Sequence, residues 1–79
     1  MARQVPLTEV AVGQTVSVVE ILGGHGIHHR LSALGIRPGA MLTKVSGSFG
    51  GFGPTVVRCG ETQTALGAGV CRRVVVEAP

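Results

Sequence analysis

The chain has no Trp, no Tyr and only two Phe. It has no Asp either: its acidic residues are Glu9, Glu20, Glu61 and Glu77, well separated along 79 residues. The shortage of aromatics excludes an aromatic core. It also leaves nothing beside the basic residues to stack on bases, so a nucleic-acid partner is not expected. The shortage of carboxylates removes the paired acids that general acid–base catalysis requires. No P-loop and no Cys–His pair at a recognised spacing is present, so the chain is not expected to be an enzyme.

Cysteine is scarce too. Cys59 and Cys71 lie twelve positions apart without a CxxC pattern, which is neither a disulfide framework nor a zinc knuckle. Both fall at core-facing positions, where a free cysteine acts as a small hydrophobe. No stretch approaches the roughly 20 apolar residues of a membrane span. The first fifteen residues hold no apolar run with a cleavage site. A cytoplasmic location, without membrane spanning, is the expectation.

What the chain does have is valine and glycine, thirteen of each, with 44% of residues hydrophobic. A domain this short buries only about 60% of its unfolded surface. Its core must be thin and aliphatic, and β-branched residues favour strands over a helical bundle. The glycines supply turns. Net charge is +3, from Arg3, Arg30, Arg37, Lys44, Arg58, Arg72 and Arg73 against the four glutamates. Such a balance suits an acidic protein partner or an anionic membrane surface.

Along the chain, residues 5–10 read as an arm with one helical turn at most, capped by Thr8. Residues 15–22 form a strand with apolar residues on both faces, which suggests cover on both sides. Gly23-Gly24 ends it. A helix follows from about Gly26 to Leu34, with Ile27, Leu31 and Leu34 on one narrow apolar face. Gly35 tolerates the positive φ of a helix stop, and Pro38-Gly39 suits the turn into the next strand. Strands are then expected at 41–46, 55–59, 62–66 and 72–77, with a glycine-rich loop at 47–54 and a tight turn at 67–71. Met41, Thr43 and Val45 share one face of the second strand, and Leu42 and Lys44 the other. Thr55, Val57 and Cys59 share one face of the third, with Arg58 opposite. Five short strands and one helix between the first and second make a mainly β, closed or nearly closed small barrel. Residues 1–79 read as one domain.

The stretch Arg30-Leu31-x-x-Leu34-Gly35-Ile36-x-Pro38-Gly39 is the most specific part of the sequence. With Leu7, Gly13-Gln14, Gly23-Gly24, Gly53-Pro54, Val56-Val57-Arg58, Gly60, Ala65-Leu66 and Val74-Val75-Val76, it resembles the FeoA family over nearly the whole chain. Members of that family are small proteins associated with bacterial ferrous iron uptake. The resemblance implies an SH3-like barrel and a role beside a large membrane permease of the FeoB type, which carries a GTP-binding domain. The same domain type occurs at the C-terminus of metal-dependent repressors. The chain departs from the family pattern at Gly67-Ala68-Gly69, where charged residues are usual, and at Cys59 and Cys71.

Two surfaces are candidates for function. Arg30 and Arg37, flanking the signature, together with Phe49 and Phe52 in the glycine-rich loop, would contact the permease's cytoplasmic part; otherwise the arginines are solvated surface and the phenylalanines fold over the barrel mouth. His25 and His29 stand four apart and would share a helical face if the helix reached back to His25. That spacing chelates a divalent transition metal such as iron or zinc; the plainer reading is a solvated helix face. No cofactor is required by either reading, and self-association belongs to the second, a metal-responsive dimerisation module.

Overall fold

The computed structural model describes residues 3–47 and 53–78. One antiparallel sheet of six strands dominates: β1 (Arg3–Pro6), β2 (Thr15–Ile21), β3 (Met41–Ser46), β4 (Thr55–Cys59), β5 (Thr62–Leu66) and β6 (Val74–Ala78). Its spatial order is β1-β6-β2-β3-β4-β5. Helix α1 (His25–Ala33) joins β2 to β3, and the one-turn helix α2 (Ala68–Cys71) joins β5 to β6. The mainly β expectation holds, with two changes. The arm at the N-terminus is a strand: Arg3 to Pro6 pairs with Ala78 to Val75 before a 3₁₀ turn at Leu7–Glu9. The sheet also curls without closing, because β1 and β5 end it and do not pair with one another.

The core is aliphatic. Leu7, Val10, Ile36, Leu42, Val57, Val74 and Val76 are fully buried. Burial of each such side chain is worth about 1.5–3 kcal/mol. β6 lies between β1 and β2 and buries Val74, Val76 and Ala78 on one face.

The apolar residues on both faces of β2 have a different cause from the one expected. Val16 and Val18 are buried, then Ile21, so the buried positions change parity within one strand. The register shows why: Val18 opposes Val76, but Glu20 opposes Val75, so one extra residue bulges out of β2. A bulge turns the following side chains to the opposite face. The strand therefore has one buried face throughout, and Glu20 stays exposed.

The helix stop is built as the sequence suggests. Gly35, at φ 83°, follows the last turn of α1. Its N–H donates to Ser32 O at 2.9 Å, and the Ile36 N–H donates to Leu31 O at 2.9 Å. This is a Schellman arrangement, and its accompanying hydrophobic contact joins Leu31 to Ile36, both buried. The next turn runs from Arg37 to Ala40, with Ala40 N–H on Arg37 O at 2.9 Å and Gly39 at φ 94°. The Gly39 N–H donates to Val18 O, and the Val18 N–H to Ala40 O, each at 2.8 Å. The signature thus fastens the end of α1 to β2 beside its bulge.

One core residue is a cation. Lys44 is 1% exposed and donates from Nζ to Val10 O at 2.7 Å. Its backbone holds the preceding turn as well: Gly13 N–H bonds Lys44 O at 2.7 Å, and Lys44 N–H bonds Gln14 O at 3.0 Å. The face shared by Leu42 and Lys44 is the core side of β3, while Met41 is 55% exposed.

Candidate partner-docking site

α1 begins at His25, one residue earlier than expected, because Gly24 is extended (φ −87°, ψ −171°) and acts as the N-cap. Leu31 is buried, and Ile27 and Leu34 pack half-buried against the core. Facing solvent on the same helix are His25, His28, His29 and Arg30.

Arg30 stands at the rim of a groove between three elements. Leu31 and Leu34 come from α1, Ala65 and Leu66 from β5, Gly67 and Val70 from the α2 turn. The groove encloses about 250 Å³ and its walls are apolar apart from Arg30. Arg30 is exposed and its guanidinium has neither an ion pair nor a hydrogen bond among the described residues. No carboxylate lines the groove, and none occurs between Glu20 and Glu61 in the sequence. An apolar slot beside an unneutralised guanidinium fits an aliphatic side chain with a carboxylate next to it.

Arg37 lies exposed in the turn after α1 and is not part of that groove. Phe49 and Phe52 fall outside the described residues. Ala65, Leu66 and Val70 were not singled out from the sequence as a surface. The one signal there is the uncharged Gly67-Ala68-Gly69 turn, where the family resemblance leads one to expect charge.

His25 and His29 do lie on one helix four residues apart, and both are exposed. They border an open hollow together with Gly26, Ile27 and Arg30. His28 faces a second hollow, with Gly23, Gly24 and His25. Among the described residues, no group of three or more His, Cys, Asp or Glu is placed to hold a metal ion. Two imidazoles, His25 and His29, fall short of the four ligands of a closed zinc site.

The cysteines are structural. Cys71 is fully buried and its thiol donates to Leu66 O at 3.7 Å. Burial pushes its pKa up, against the lowering effects of the Thr55 hydroxyl and of the Lys44 and Arg72 charges. Cys59 is half-buried and its thiol reaches Gly35 O at 3.4 Å, against the helix stop. Among the described residues, no helix is long and apolar enough to cross a membrane.

The family model of the FeoA domain matches residues 5–78. An iron uptake regulatory protein, FeoA, is 34% identical in a solved structure, with TM-score 0.82, covering 96% of this chain and 99% of that one. FeoA from Stenotrophomonas maltophilia, solved in complex with zinc and described as a procaryotic SH3 domain protein, is 30% identical at TM-score 0.78, covering 90% of this chain and 87% of its own. A manganese-dependent transcriptional repressor shares the fold at TM-score 0.84 and 16% identity, covering all of this chain and 44% of its own. No curated protein sequence matches the chain. The SH3-like architecture, the signature turn and the match over almost all residues lead to one assignment: the chain belongs to the FeoA family, which is associated with ferrous iron transport.

Proposed function

We propose that this protein is a non-enzymatic accessory of bacterial ferrous iron uptake that docks on the cytoplasmic part of a FeoB-type permease and modulates transport. The observation that carries this reading is Arg30, exposed and unneutralised beside an apolar groove whose rim holds no acid. The S. maltophilia relative is described as a candidate activating factor for ferrous iron transport. That description supports the same role here. Docking would act by positioning, with no bond made or broken. Arg37, Phe49 and Phe52 are proposed as further partner contacts outside the groove's described walls. The protein would work in the cytoplasm, recruited to the inner face of the membrane by its partner.

The test is an amide NMR titration of the labelled protein with the isolated cytosolic domain of the permease, anaerobically, with and without ferrous ion. Shifts clustered around Arg30 and the groove are the expected result, with affinity lowered about tenfold or more by Arg30→Glu. An absence of binding, or binding indifferent to that charge reversal, would overturn the surface assignment.

A second reading is supported by α1 reaching back to His25. The His25/His29 pair would then bind iron or zinc weakly and make the domain metal-responsive, with dimerisation as its output. Zinc is present in the S. maltophilia relative, in keeping with a divalent ion at such a domain.

A further inference from the structure

We propose that the outer edge of β5 receives an extended segment of the protein partner as an added strand. An aliphatic side chain of that segment would sit in the groove beside Arg30 and an adjacent carboxylate would lie on the guanidinium. The proposal rests on the docking reading above and names its recognition chemistry.

The two ends of the sheet are not alike. β1 is guarded: it carries Arg3, and Pro6 has no N–H to offer a neighbour. β5 lacks every such guard. Its residues are Thr62, Gln63, Thr64, Ala65 and Leu66, with no charge and no proline. It pairs with β4 in unbroken register, Thr55 with Leu66 through Cys59 with Thr62, so no bulge twists the edge away. Thr62, Gln63 and Ala65 are exposed. Among the described residues, β5 makes no backbone–backbone hydrogen bond outside the sheet, and only the Leu66 carbonyl, at its end, accepts from the Cys71 thiol. An uncharged, regular, five-residue edge is a template for one more strand.

Main-chain pairing alone would accept any extended chain. Selectivity comes from what lies beside the edge. Ala65 and Leu66 contribute to both the edge and the groove, so a strand laid along β5 brings its inward side chains over the slot between α1, β5 and α2. About 250 Å³ there accommodates one branched aliphatic side chain and its surroundings. The walls Leu31, Leu34, Leu66 and Val70 are apolar, and Arg30 is the one charge at the rim. Charge complementarity therefore selects a segment with an acidic residue next to its apolar anchor, in a chain with +3 net charge and no acid between Glu20 and Glu61.

The experiment uses the full chain and two probes. One is the isolated cytosolic domain of the permease. The other is a blocked synthetic hexapeptide of threonine and valine with one leucine and one glutamate side by side. Amide exchange of residues 62–66 should slow about tenfold with either probe. Ala65→Glu, which fills the groove and supplies Arg30 with an internal carboxylate, should lower affinity about tenfold or more while leaving the amide spectrum folded. Thr62→Lys guards the edge without touching the groove and should weaken binding in the same direction.

If the domain binds but residues 62–66 exchange as before and both variants bind like wild type, strand addition is wrong while docking stands. If the domain does not bind but the peptide protects β5, the docking reading fails and the edge proposal survives. If neither probe protects β5, the proposal is overturned. Concentration-dependent shifts on β5 in the protein alone would assign the edge to a second copy of the chain and overturn it too.

Discussion

Replacing Lys44 with Met tests the reasoning about the core most directly. Lys44 is 1% exposed and its Nζ lies 2.7 Å from Val10 O. Met retains most of the aliphatic stem, so little packing is lost. The carbonyl of Val10, a fully buried residue, loses a charge-assisted donor, which costs about 1–3 kcal/mol. The opposing term is relief of desolvation: well-packed apolar replacements of buried charges are often neutral or stabilising. The loss should win here because that hydrogen bond ties the end of the 3₁₀ turn, at Val10, to β3, and nothing else in the Met variant can replace the donor. A loss of about 2 kcal/mol lowers the melting temperature by roughly 8–16 °C in a domain of this size. In urea, with a slope of about 1 kcal/mol/M for so small a chain, the midpoint should fall by about 2 M. Lys44→Ala adds an unfilled cavity and should lose about 4 kcal/mol, near the whole stability of a small domain. The assay is urea unfolding followed by circular dichroism, with Met41→Ala at an exposed position as the control, changing stability by less than about 0.5 kcal/mol. A Lys44→Met variant as stable as wild type, or more so, would refute the argument.

Four further outcomes are expected. Gly47→Ala should destabilise more than Gly35→Ala. Both positions have positive φ, 130° and 83°, but a Cβ at Gly47 would meet Thr55 Oγ1 at 2.8 Å and Thr55 Cα at 3.0 Å, whereas one at Gly35 meets only Cys59 Sγ at 3.5 Å. Gly35→Ala should cost about 1–2 kcal/mol and Gly47→Ala clearly more, read from paired denaturation curves; equal losses would contradict the contact geometry. Burial raises the Cys71 pKa, so the unfolded chain loses that proton first as pH rises. Cys71 should therefore add stability at neutral pH that fades as pH climbs through and above the ordinary thiol range. Native protein at pH 8 should take up iodoacetamide at Cys59 well before Cys71, as peptide mapping would show; equal rates would count against the buried assignment. Finally, calorimetry with zinc should give only a weak, micromolar-or-poorer site, lost in His25→Ala/His29→Ala; affinity that survives this double change would place any site elsewhere.

Much of the fold is legible because local chemistry dictates it. Gly35 and Pro38-Gly39 mark the end of α1 and the following turn, since each needs a backbone conformation few residues adopt. Alternation placed Thr55 and Val57 correctly on the core face of β4. The bulge in β2 was not legible. Nothing in Val18-Val19-Glu20 demands one, and it follows only from how β2 pairs with β6. β1 was missed because Val5-Pro6 looks like an arm until β6 lies beside it. Lys44 shares the face of Leu42, yet a cation at such a position ordinarily faces water, and the carbonyl of Val10, thirty-four residues away, helps explain its burial. The candidate site divides in the same way. Arg30 and the histidine pair could be found in one helix, whereas the groove draws its walls from α1, β5 and α2, which only the tertiary structure brings together.

The pairing of β1 with β6 has a consequence for how this domain travels between proteins. Arg3 lies opposite Ala78, so the two ends of the described chain leave the sheet from adjacent strands. Such a unit can be spliced into a host polypeptide through either end, or through both, without pulling its sheet apart. The same closeness makes a rearranged version feasible: a short linker from the last strand to the first, and new termini opened at the Gly60-Glu61 hairpin. A fold with this wiring is portable, which gives a physical reason for the same architecture to occupy 44% of a longer repressor chain and nearly all of a 79-residue one.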